Sequence, residues 1–295
     1  MIQQLVLFAG WLGSGSAAPA RDSVWYALPA GFNQSRPDAI LELVEQAPLA
    51  FDGVYMFGDS ACDTGNLFNS SGNTDPDPKV YWRGRQCNGP MWPDYLQARH
   101  QFKFRNYAFG GAVVNKKNNV VLDVPDFSQQ IDLHKHSPSL GAKRALAVIQ
   151  FAGNDLINHM ITPAKVASDI KESMHALIGL GEINDLLLVL SPVAAYNAQG
   201  LNAAIVSMTN AANNQANIKT LAVVDVYAAM AKVAPATADA AIWARLEAHC
   251  YDTASKQLCT DPQNHLYFDN YHPSTVPNYN MAMYTSDAIA SFWPI

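Results

Sequence analysis

The chain has 295 residues, of which 49% are hydrophobic and 15% are charged, so it can bury a sizeable core and is not expected to be disordered. Its net charge is -6 and its 19 Lys and Arg residues are scattered, which excludes nucleic acid as an expected partner because such binding needs a clustered basic surface. No apolar run approaches the roughly 20 residues of a membrane span, so no transmembrane anchor is expected.

The first 20 residues differ in composition from the rest of the chain. They carry no charge, an apolar stretch runs from Ile2 to Leu12, and small residues follow it. This pattern resembles a secretory signal cleaved near Ala17 or Ala20, although the usual basic start is missing. The alternative is a buried N-terminal helix or a segment left from expression. The sequence therefore predicts a signal peptide over residues 1–20, a single domain over 21–295, and a secreted protein, extracellular or periplasmic.

Strand and helix signals alternate through the remaining chain. Helical spacing occurs at 38–46, 163–180 and 199–217, and a closing helix is expected over 277–293. Five short apolar runs lie at 53–58, 102–109, 145–152, 185–190 and 219–225. They show little alternation, as expected of strands buried on both faces by crossover helices. The predicted fold is α/β, a three-layer α/β/α sandwich around a central, mostly parallel, five-stranded sheet.

The residues that follow these runs are suited to acyl transfer. Sites in open parallel sheets form outside the carboxyl ends of the strands. There the sequence places Ser60, a glycine pair and Asn154, and Asp269 and His272 stand three apart near the end of the chain. A serine needs a base to take its proton and a carboxylate to orient that base. The Ser60 backbone N–H, a glycine N–H and the Asn154 amide are candidate donors for an oxyanion.

Together these segments resemble the four blocks of the GDSL, or SGNH, family of serine esterases and lipases. "FGDSACDTGN", "NYAFGGA", "AGNDL" and "DNYHPS" occur in the family's order, and "GRQCNGPMWPDYL" is similar to its Ser-Asn-Gly-x-x-Trp segment. The resemblance implies that Ser60 is the nucleophile, His272 the base and Asp269 its orienting acid. Gly111 and Asn154 would complete the oxyanion hole with Ser60, and Gly110 is the alternative to Gly111. No metal or other cofactor is implied.

The chain departs from the family pattern at three positions. Ala61 replaces the leucine that gives the family its name, Cys62 stands where the family often has serine, and Ala152 replaces a glycine. The first change should affect packing more than chemistry, and the third bears on the geometry of the loop that carries Asn154.

Four cysteines fit an oxidised, secreted protein. Cys250 and Cys259 bound a short polar segment and are expected to form a disulfide. Cys62 and Cys87 would then pair by elimination, although four cysteines allow three pairings and the sequence alone does not choose. A further hypothesis is that the 250–259 loop restricts access to the active site.

Other chemistry-bearing residues have simpler interpretations. Asp59 and Asp63 are expected to make local backbone hydrogen bonds around the turn, and Asp155 to support the Asn154 loop. His134 and His136 are interpreted as solvated surface, without a metal. The aromatic residues of the segment before the second block are interpreted as core or rim; they are Tyr81, Trp82, Trp92 and Tyr95.

The sequence therefore predicts a secreted serine ester hydrolase that forms an acyl-enzyme. The favoured substrate is a lysophospholipid or phospholipid at a micelle or membrane surface, by resemblance to the family's phospholipase A, lysophospholipase and acyltransferase branch. The alternatives are a carbohydrate acetylesterase, an acyltransferase that passes the acyl group to an alcohol, and a non-catalytic relative that binds lipid or carbohydrate. The oligomeric state is not predicted.

Overall fold

A computed structural model describes residues 28–33, 36–117, 121–151, 153–156, 161–190, 198–212, 220–226, 248–262 and 265–295. The predicted signal peptide, Ala152 and the end of the predicted 199–217 helix lie outside the described residues. Within the described ranges, no helix is both long and apolar enough to cross a membrane.

Five parallel strands form one sheet in the order β2-β1-β3-β4-β5. The strands are β1 Gly53–Gly58, β2 Lys103–Asn106, β3 Ala145–Gln150, β4 Asp185–Val189 and β5 Thr220–Val224. β1 and β4 are buried at every position and β3 at all but its first, whereas the edge strand β2 is partly exposed. All five predicted strands are confirmed, and the missing alternation has the expected cause, because helices cover both faces.

Seven α-helices occur in the described residues and are numbered in chain order. They are α1 Pro37–Ile40, α2 Asn66–Ser70, α3 Trp92–His100, α4 Phe127–His136, α5 Pro163–Gly179, α6 Ala198–Ala212 and α7 Thr275–Phe292. Short 3-10 turns lie at Leu41–Leu43, Trp82–Gly84 and Asn154–Leu156. The predicted 38–46 helix is shorter than expected, because Val44 is already extended, with φ -72° and ψ 119°.

The side chains of the sheet divide into two cores by alternation along each strand. Tyr55 and Phe57 of β1 point to a core shared with α4, α5 and α6, whereas Val54 and Met56 point to a core shared with α3 and α7. The strands are thus covered by helices on both sides, and the three-layer α/β/α prediction is confirmed.

The carboxyl end of β1 is fixed by close backbone packing. The buried Gln130 side chain accepts from the Gly58 N–H at 2.9 Å and donates to the Gly58 carbonyl at 2.8 Å. A Cβ on Gly58 would lie 2.0 Å from the Gln150 carbonyl oxygen and 2.5 Å from Cys62 Sγ. Only glycine fits there, so the turn that carries Ser60 leaves the sheet at a fixed point.

Candidate active site

Ser60 lies in the turn that directly follows β1, with 7% of its surface exposed. The neighbouring Asp59 organises this turn. Its backbone N–H donates to the Gln150 carbonyl at 3.3 Å, and its Oδ1 accepts from the Ala61 N–H at 3.0 Å. The turn is therefore anchored both to the end of β3 and to itself.

Asp63 fixes the chain just beyond the turn. Its carboxylate accepts from three successive backbone N–H groups at the start of α2, at 2.6 to 3.0 Å, namely those of Gly65, Asn66 and Leu67. It also accepts from the Gly110 N–H at 2.8 Å. Burial raises the pKa of this carboxyl group, although the backbone donors act in the opposite direction. The predicted local hydrogen bonds of Asp59 and Asp63 are confirmed, and Asp63 also joins the first block to the second.

This contact distinguishes the two candidate glycines. The Gly110 N–H is used by Asp63, so Gly111 is the better candidate for an oxyanion donor. Gly111 has φ +78°, a left-handed conformation that favours glycine. A Cβ at this position would lie 2.6 Å from Cδ1 of Leu122, whose side chain occupies the space beside the glycine.

In the folded chain, the Asn154 side chain contacts both the first block and the second. Its side-chain Nδ2 donates to the Ala112 carbonyl at 2.9 Å and to Asp59 Oδ2 at 3.4 Å. The amide thus contacts the residue after Gly111 and the residue before Ser60. The three predicted oxyanion donors therefore come from segments that meet at one place.

Asp155 supports this arrangement from the side of the second block. Its carboxylate accepts from the Val114 N–H at 2.9 and 3.0 Å and from the Asn115 N–H at 3.4 Å. Burial raises its pKa to about 6, against the effect of these donors. Asp155 ties the Asn154 turn to the loop after Gly111, in the supporting role that the sequence predicts.

Asp269 and His272 form a close pair. His272 Nδ1 lies 2.8 Å from each carboxylate oxygen of Asp269, and Oδ1 also accepts from the backbone N–H groups of Tyr271 and His272 at 2.8 Å. Burial opposes ionisation of Asp269, but the His272 imidazole and these donors hold its pKa at about 2.

The electrostatic field at His272 also links it to the Ser60 turn. Burial lowers the pKa of His272, yet the carboxylates of Asp269 and then Asp59 outweigh it, so the pKa lies above the usual 6.5. Asp59 directly precedes Ser60, so a charge of this turn favours the protonated form of His272.

A second connection runs through buried side chains. The Trp92 indole N–H donates to the Ala61 carbonyl at 3.0 Å and to Gln150 Oε1 at 2.9 Å. The Trp92 backbone N–H donates to Asn278 Oδ1 at 3.0 Å, and Asn278 Nδ2 donates to the Pro273 carbonyl at 3.0 Å. This series of contacts joins the residue after Ser60 to the residue after His272. Trp92 and Tyr95 are fully buried, as predicted for core aromatics.

Sequence reasoning missed Tyr81 as part of the site. Its hydroxyl donates to Asp269 Oδ2 at 2.7 Å across 188 residues of sequence. From sequence, Tyr81 is interpreted only as core or rim, because a lone tyrosine outside the four blocks offers no signal for this contact.

One of the two predicted disulfides is present and the other is not. Cys250 and Cys259 form the expected disulfide. The predicted Cys62–Cys87 pair is wrong, because both thiols are free and buried. Cys62 Sγ faces the Phe57 and Gln150 carbonyls at the end of the sheet, whereas Cys87 Sγ lies near Asn88 and Asn278. Burial raises the pKa of both thiols, that of Cys87 to about 12.

His134 also differs from its prediction. His136 is exposed as expected, but His134 is only 4% exposed and lies among the rings of Tyr55, Phe57 and Tyr107. Burial lowers its pKa, which favours the neutral ring. His134 is therefore a core residue. Its aromatic neighbours come from β1 and from the chain after β2, far from it in sequence.

One group of metal-type ligands occurs in the described part of the chain. Cys259, Asp261 and His265 offer ligand atoms within 4.8 Å of one another. Cys259 is in the disulfide, so it offers no thiolate and the group lacks its strongest ligand.

Comparison with known proteins places this geometry in a family. A family model described as GDSL-like Lipase/Acylhydrolase matches residues 54–285. Thermolabile hemolysin of Vibrio parahaemolyticus is 27% identical over 158 residues, which cover 52% of this chain and 38% of that protein. Phosphatidylcholine-sterol acyltransferase of Aeromonas hydrophila is 40% identical over 47 residues, which cover 16% of this chain and 14% of that protein.

These matches span less than half the length of either curated relative. Among solved structures, a member of the lipolytic protein G-D-S-L family from Veillonella parvula is similar at a TM-score of 0.46 and 11% identity. That similarity covers 82% of this chain and 97% of the other. Because the family match includes every block described above and most of the chain, the protein belongs to the GDSL-like lipase/acylhydrolase family.

Proposed function

We propose that the chain is a serine ester hydrolase in which Ser60 is the nucleophile, His272 the base and Asp269 the residue that orients His272. The Asp269–His272 pair carries this proposal, because the imidazole Nδ1 lies 2.8 Å from both carboxylate oxygens. With a pKa of about 2, Asp269 is ionised at neutral pH and only accepts hydrogen bonds. His272 therefore holds its proton on Nδ1, and Nε2 is the nitrogen free to act as a base.

The reaction follows from that tautomer. Nε2 of His272 takes the Ser60 hydroxyl proton as Oγ attacks the ester carbonyl, and the carbonyl oxygen becomes negatively charged. His272 then gives the proton to the leaving alcohol oxygen as the ester C–O bond breaks, which leaves an acyl-enzyme on Ser60. A water molecule activated by the same nitrogen releases the acid and restores the serine.

The oxyanion would be bound by the backbone N–H groups of Ser60 and Gly111 and by the Asn154 amide. Gly111 supports this role because the N–H of its neighbour Gly110 is already used. The Asn154 contact with Asp59, at 3.4 Å, is longer than its contact with Ala112, at 2.9 Å, and an oxyanion could replace the longer one. Donors held in place before reaction stabilise the transition state most effectively.

An organophosphonate probe tests the catalytic assignment. We expect the purified protein to form one covalent adduct on Ser60, and the adduct and the hydrolysis of soluble esters to be lost together in Ser60→Ala. Ser70→Ala, a change to an exposed serine in α2, should leave both unchanged. A folded wild-type protein that forms no adduct and hydrolyses no ester would instead support the non-catalytic, ligand-binding alternative.

We further propose that the substrate is a lysophospholipid or phospholipid presented at a micelle or membrane surface. The name of one curated relative, phosphatidylcholine-sterol acyltransferase, supports a lipid substrate. So does Leu122, an apolar side chain that is 38% exposed and lies beside Gly111, where the acyl chain of a bound ester could contact it. Val121, 37% exposed, extends this apolar surface.

The substrate proposal is tested by three assays run together. We expect fatty acid release from long-chain lysophosphatidylcholine, lost in Ser60→Ala. Acetate release from an acetylated sugar without fatty acid release would overturn the lipid proposal in favour of a carbohydrate acetylesterase. Adding a long-chain alcohol as acceptor separates hydrolysis from acyl transfer, because transfer yields a new ester at the expense of free acid.

We also propose that residues 21–295 form the mature, single-domain protein, exported after cleavage of residues 1–20. The Cys250–Cys259 disulfide supports export, because disulfides persist in oxidising compartments. N-terminal sequencing of exported protein should begin near Ala18 or Arg21. Retention of Met1 in protein recovered outside the cytoplasm would contradict the cleavage.

A further inference from the structure

The Asp269 carboxylate is held by donors on both of its oxygens. Oδ1 accepts from the backbone N–H groups of Tyr271 and His272, and Oδ2 accepts from the Tyr81 hydroxyl at 2.7 Å. His272 Nδ1 contacts both oxygens. In the described part of the chain, Tyr81 is the one side chain other than His272 that donates to this carboxylate. Rotation of the carboxylate would therefore break the contact with Tyr81 as well as the contact with the imidazole.

The Tyr81 hydroxyl stays protonated at neutral pH and well above it, so it remains a hydrogen-bond donor. Burial, and then the charge of Asp269, raise its pKa far above that of an ordinary tyrosine. The hydroxyl therefore keeps its proton directed at Oδ2.

The Tyr81 ring is fixed by an aromatic cluster. It packs edge-on against Tyr251, with ring centres 5.8 Å apart, and against Phe268, with ring centres 5.4 Å apart. Tyr251 and Phe268 stack on each other at 6.2 Å. Cys259 packs against the same cluster. Two of these neighbours, Tyr251 and Cys259, belong to the 250–259 segment.

That segment is a disulfide-bounded hairpin attached to the chain before Asp269. Its two short strands are β6 Tyr251–Asp252 and β7 Gln257–Leu258, and the Cys250–Cys259 disulfide closes them. The Cys250 N–H donates to the Tyr267 carbonyl at 3.2 Å, and the Tyr251 N–H donates to the Phe268 carbonyl at 2.6 Å. The hairpin thus supports Asp269 twice, through the backbone of Phe268 and through the ring of Tyr81.

We propose that Tyr81 is a positioning residue for Asp269, and that the 250–259 hairpin holds Tyr81 against that carboxylate. This rests on the proposed function, since it adds a residue to the same catalytic pair. The disulfide then has a role in catalysis as well as in stability, because opening it frees the rings that hold the Tyr81 hydroxyl.

Tyr81→Phe tests the first part, since it removes the hydroxyl and keeps the ring. We expect kcat to fall about tenfold, because the lost hydrogen bond is to the charged carboxylate that orients the base. KM should change little, because Tyr81 does not contact the substrate. The His272 pKa, read by NMR titration of its imidazole, should rise, because Oδ2 loses a competing donor and becomes more basic. Tyr251→Phe is the matched control: it removes a hydroxyl from the same cluster but none that donates to Asp269.

Two further results keep the test decisive. Replacing Tyr81 with 3-fluorotyrosine strengthens the donor without disturbing the fold, so the His272 pKa should fall. The NMR titration needs no substrate, so it decides the role of Tyr81 even in a chain that proves to hydrolyse no ester. An unchanged His272 titration in both Tyr81 variants would overturn the proposal.

The hairpin is tested by combining variants. In an otherwise wild-type chain, Cys250→Ser combined with Cys259→Ser should lower kcat and shift the pKa of His272. The same cysteine changes should have a much smaller effect in the Tyr81→Phe background, because the interaction they disturb is already lost. Equal effects in the two backgrounds would show that the hairpin acts on the site without Tyr81.

Discussion

At the scale of single residues, the charges around His272 should set the pH range of the proposed reaction. A base must be neutral to take a proton from Ser60, and the carboxylates of Asp269 and Asp59 favour its protonated form. Since its pKa lies above 6.5, kcat/KM should fall as the pH drops through a value higher than that of an ordinary histidine.

Asp269→Asn provides the check on this pH profile. It removes the carboxylate charge, so the acid limb should move to lower pH while kcat falls by roughly 10⁴-fold, because the imidazole loses its tautomer and orientation. The pH dependence of kcat/KM on a soluble ester measures both. An acid limb that stays in place in Asp269→Asn would mean that another group titrates there.

Gly58 is a second residue whose role follows from packing alone. A Cβ there would lie 2.0 Å from the Gln150 carbonyl oxygen and 2.5 Å from Cys62 Sγ, and the carbonyl belongs to the sheet and cannot move aside. Gly58→Ala should therefore destabilise the fold by on the order of 3 kcal/mol and displace the Ser60 turn. Denaturant unfolding measures the first effect and organophosphonate labelling the second.

Gly179→Ala is the matched control for this substitution. Gly179 ends α5 and an added methyl group would meet no atom within 4 Å, so alanine should stabilise the helix by about 0.5 to 1 kcal/mol. Equal unfolding free energies for the two variants would refute the packing argument at Gly58.

At the scale of elements, the starts of α3 and α7 are joined by one side chain. Asn278 accepts from the first N–H of α3 with its Oδ1 and donates to the carbonyls of Pro273 and Ser274 with its Nδ2, all at 3.0 Å. Pro273 directly follows His272, and Trp92 at the start of α3 reaches the Ser60 turn through its indole. The helix pair therefore connects the turn of Ser60, the proposed nucleophile, to the chain after His272, the proposed base.

Asn278→Ala should disturb both stability and catalysis. It leaves the buried Trp92 N–H without its acceptor, which costs about 1 to 3 kcal/mol, and it releases the chain after His272. We expect a lower midpoint of thermal unfolding and a lower kcat, whereas Ser291→Ala on an exposed part of the same helix should change neither. An Asn278→Ala protein with full activity at temperatures where it is folded would show that the helix pair does not position the base.

At the scale of the whole molecule, the sequence predicts those parts that depend on local pattern. The strands at 53–58, 145–152 and 185–190 could be located because both of their faces are covered, which leaves apolar runs without alternation. The four blocks follow strand ends or precede α7, so their order already places Ser60, Gly111 and Asn154 at one edge of the sheet.

What escaped prediction depends on contacts between segments far apart in the chain. Tyr81 reaches Asp269 across 188 residues, and His134 is buried by aromatic rings from β1 and from the chain after β2. The free thiols of Cys62 and Cys87 contradict pairing by elimination, because a buried thiol packs as a small apolar group and needs no partner. α4 was also missed, although Asp126 and Gln129 form a capping box that marks its start.

The charge of the whole molecule bears on the proposed lipid substrate. The net charge is -6, and the first 20 residues carry no charge, so cleavage of a signal would leave it unchanged. A negatively charged protein is repelled by anionic surfaces and not by zwitterionic ones. Micelles of lysophosphatidylglycerol should therefore be hydrolysed more slowly than micelles of lysophosphatidylcholine at low salt.

Salt separates this long-range effect from recognition of the headgroup in the site. The Debye length falls from about 30 Å at 0.01 M salt to about 3 Å at 1 M, so the difference between the two micelles should narrow as salt is added. Hydrolysis of a soluble uncharged ester such as p-nitrophenyl butyrate should hardly change over the same range, which controls for effects of salt on the catalytic residues. A difference between the two lipids that salt leaves intact would assign the preference to contacts in the site. Faster turnover of the anionic micelle at low salt would mean that a local basic surface outweighs the net charge where the protein meets lipid.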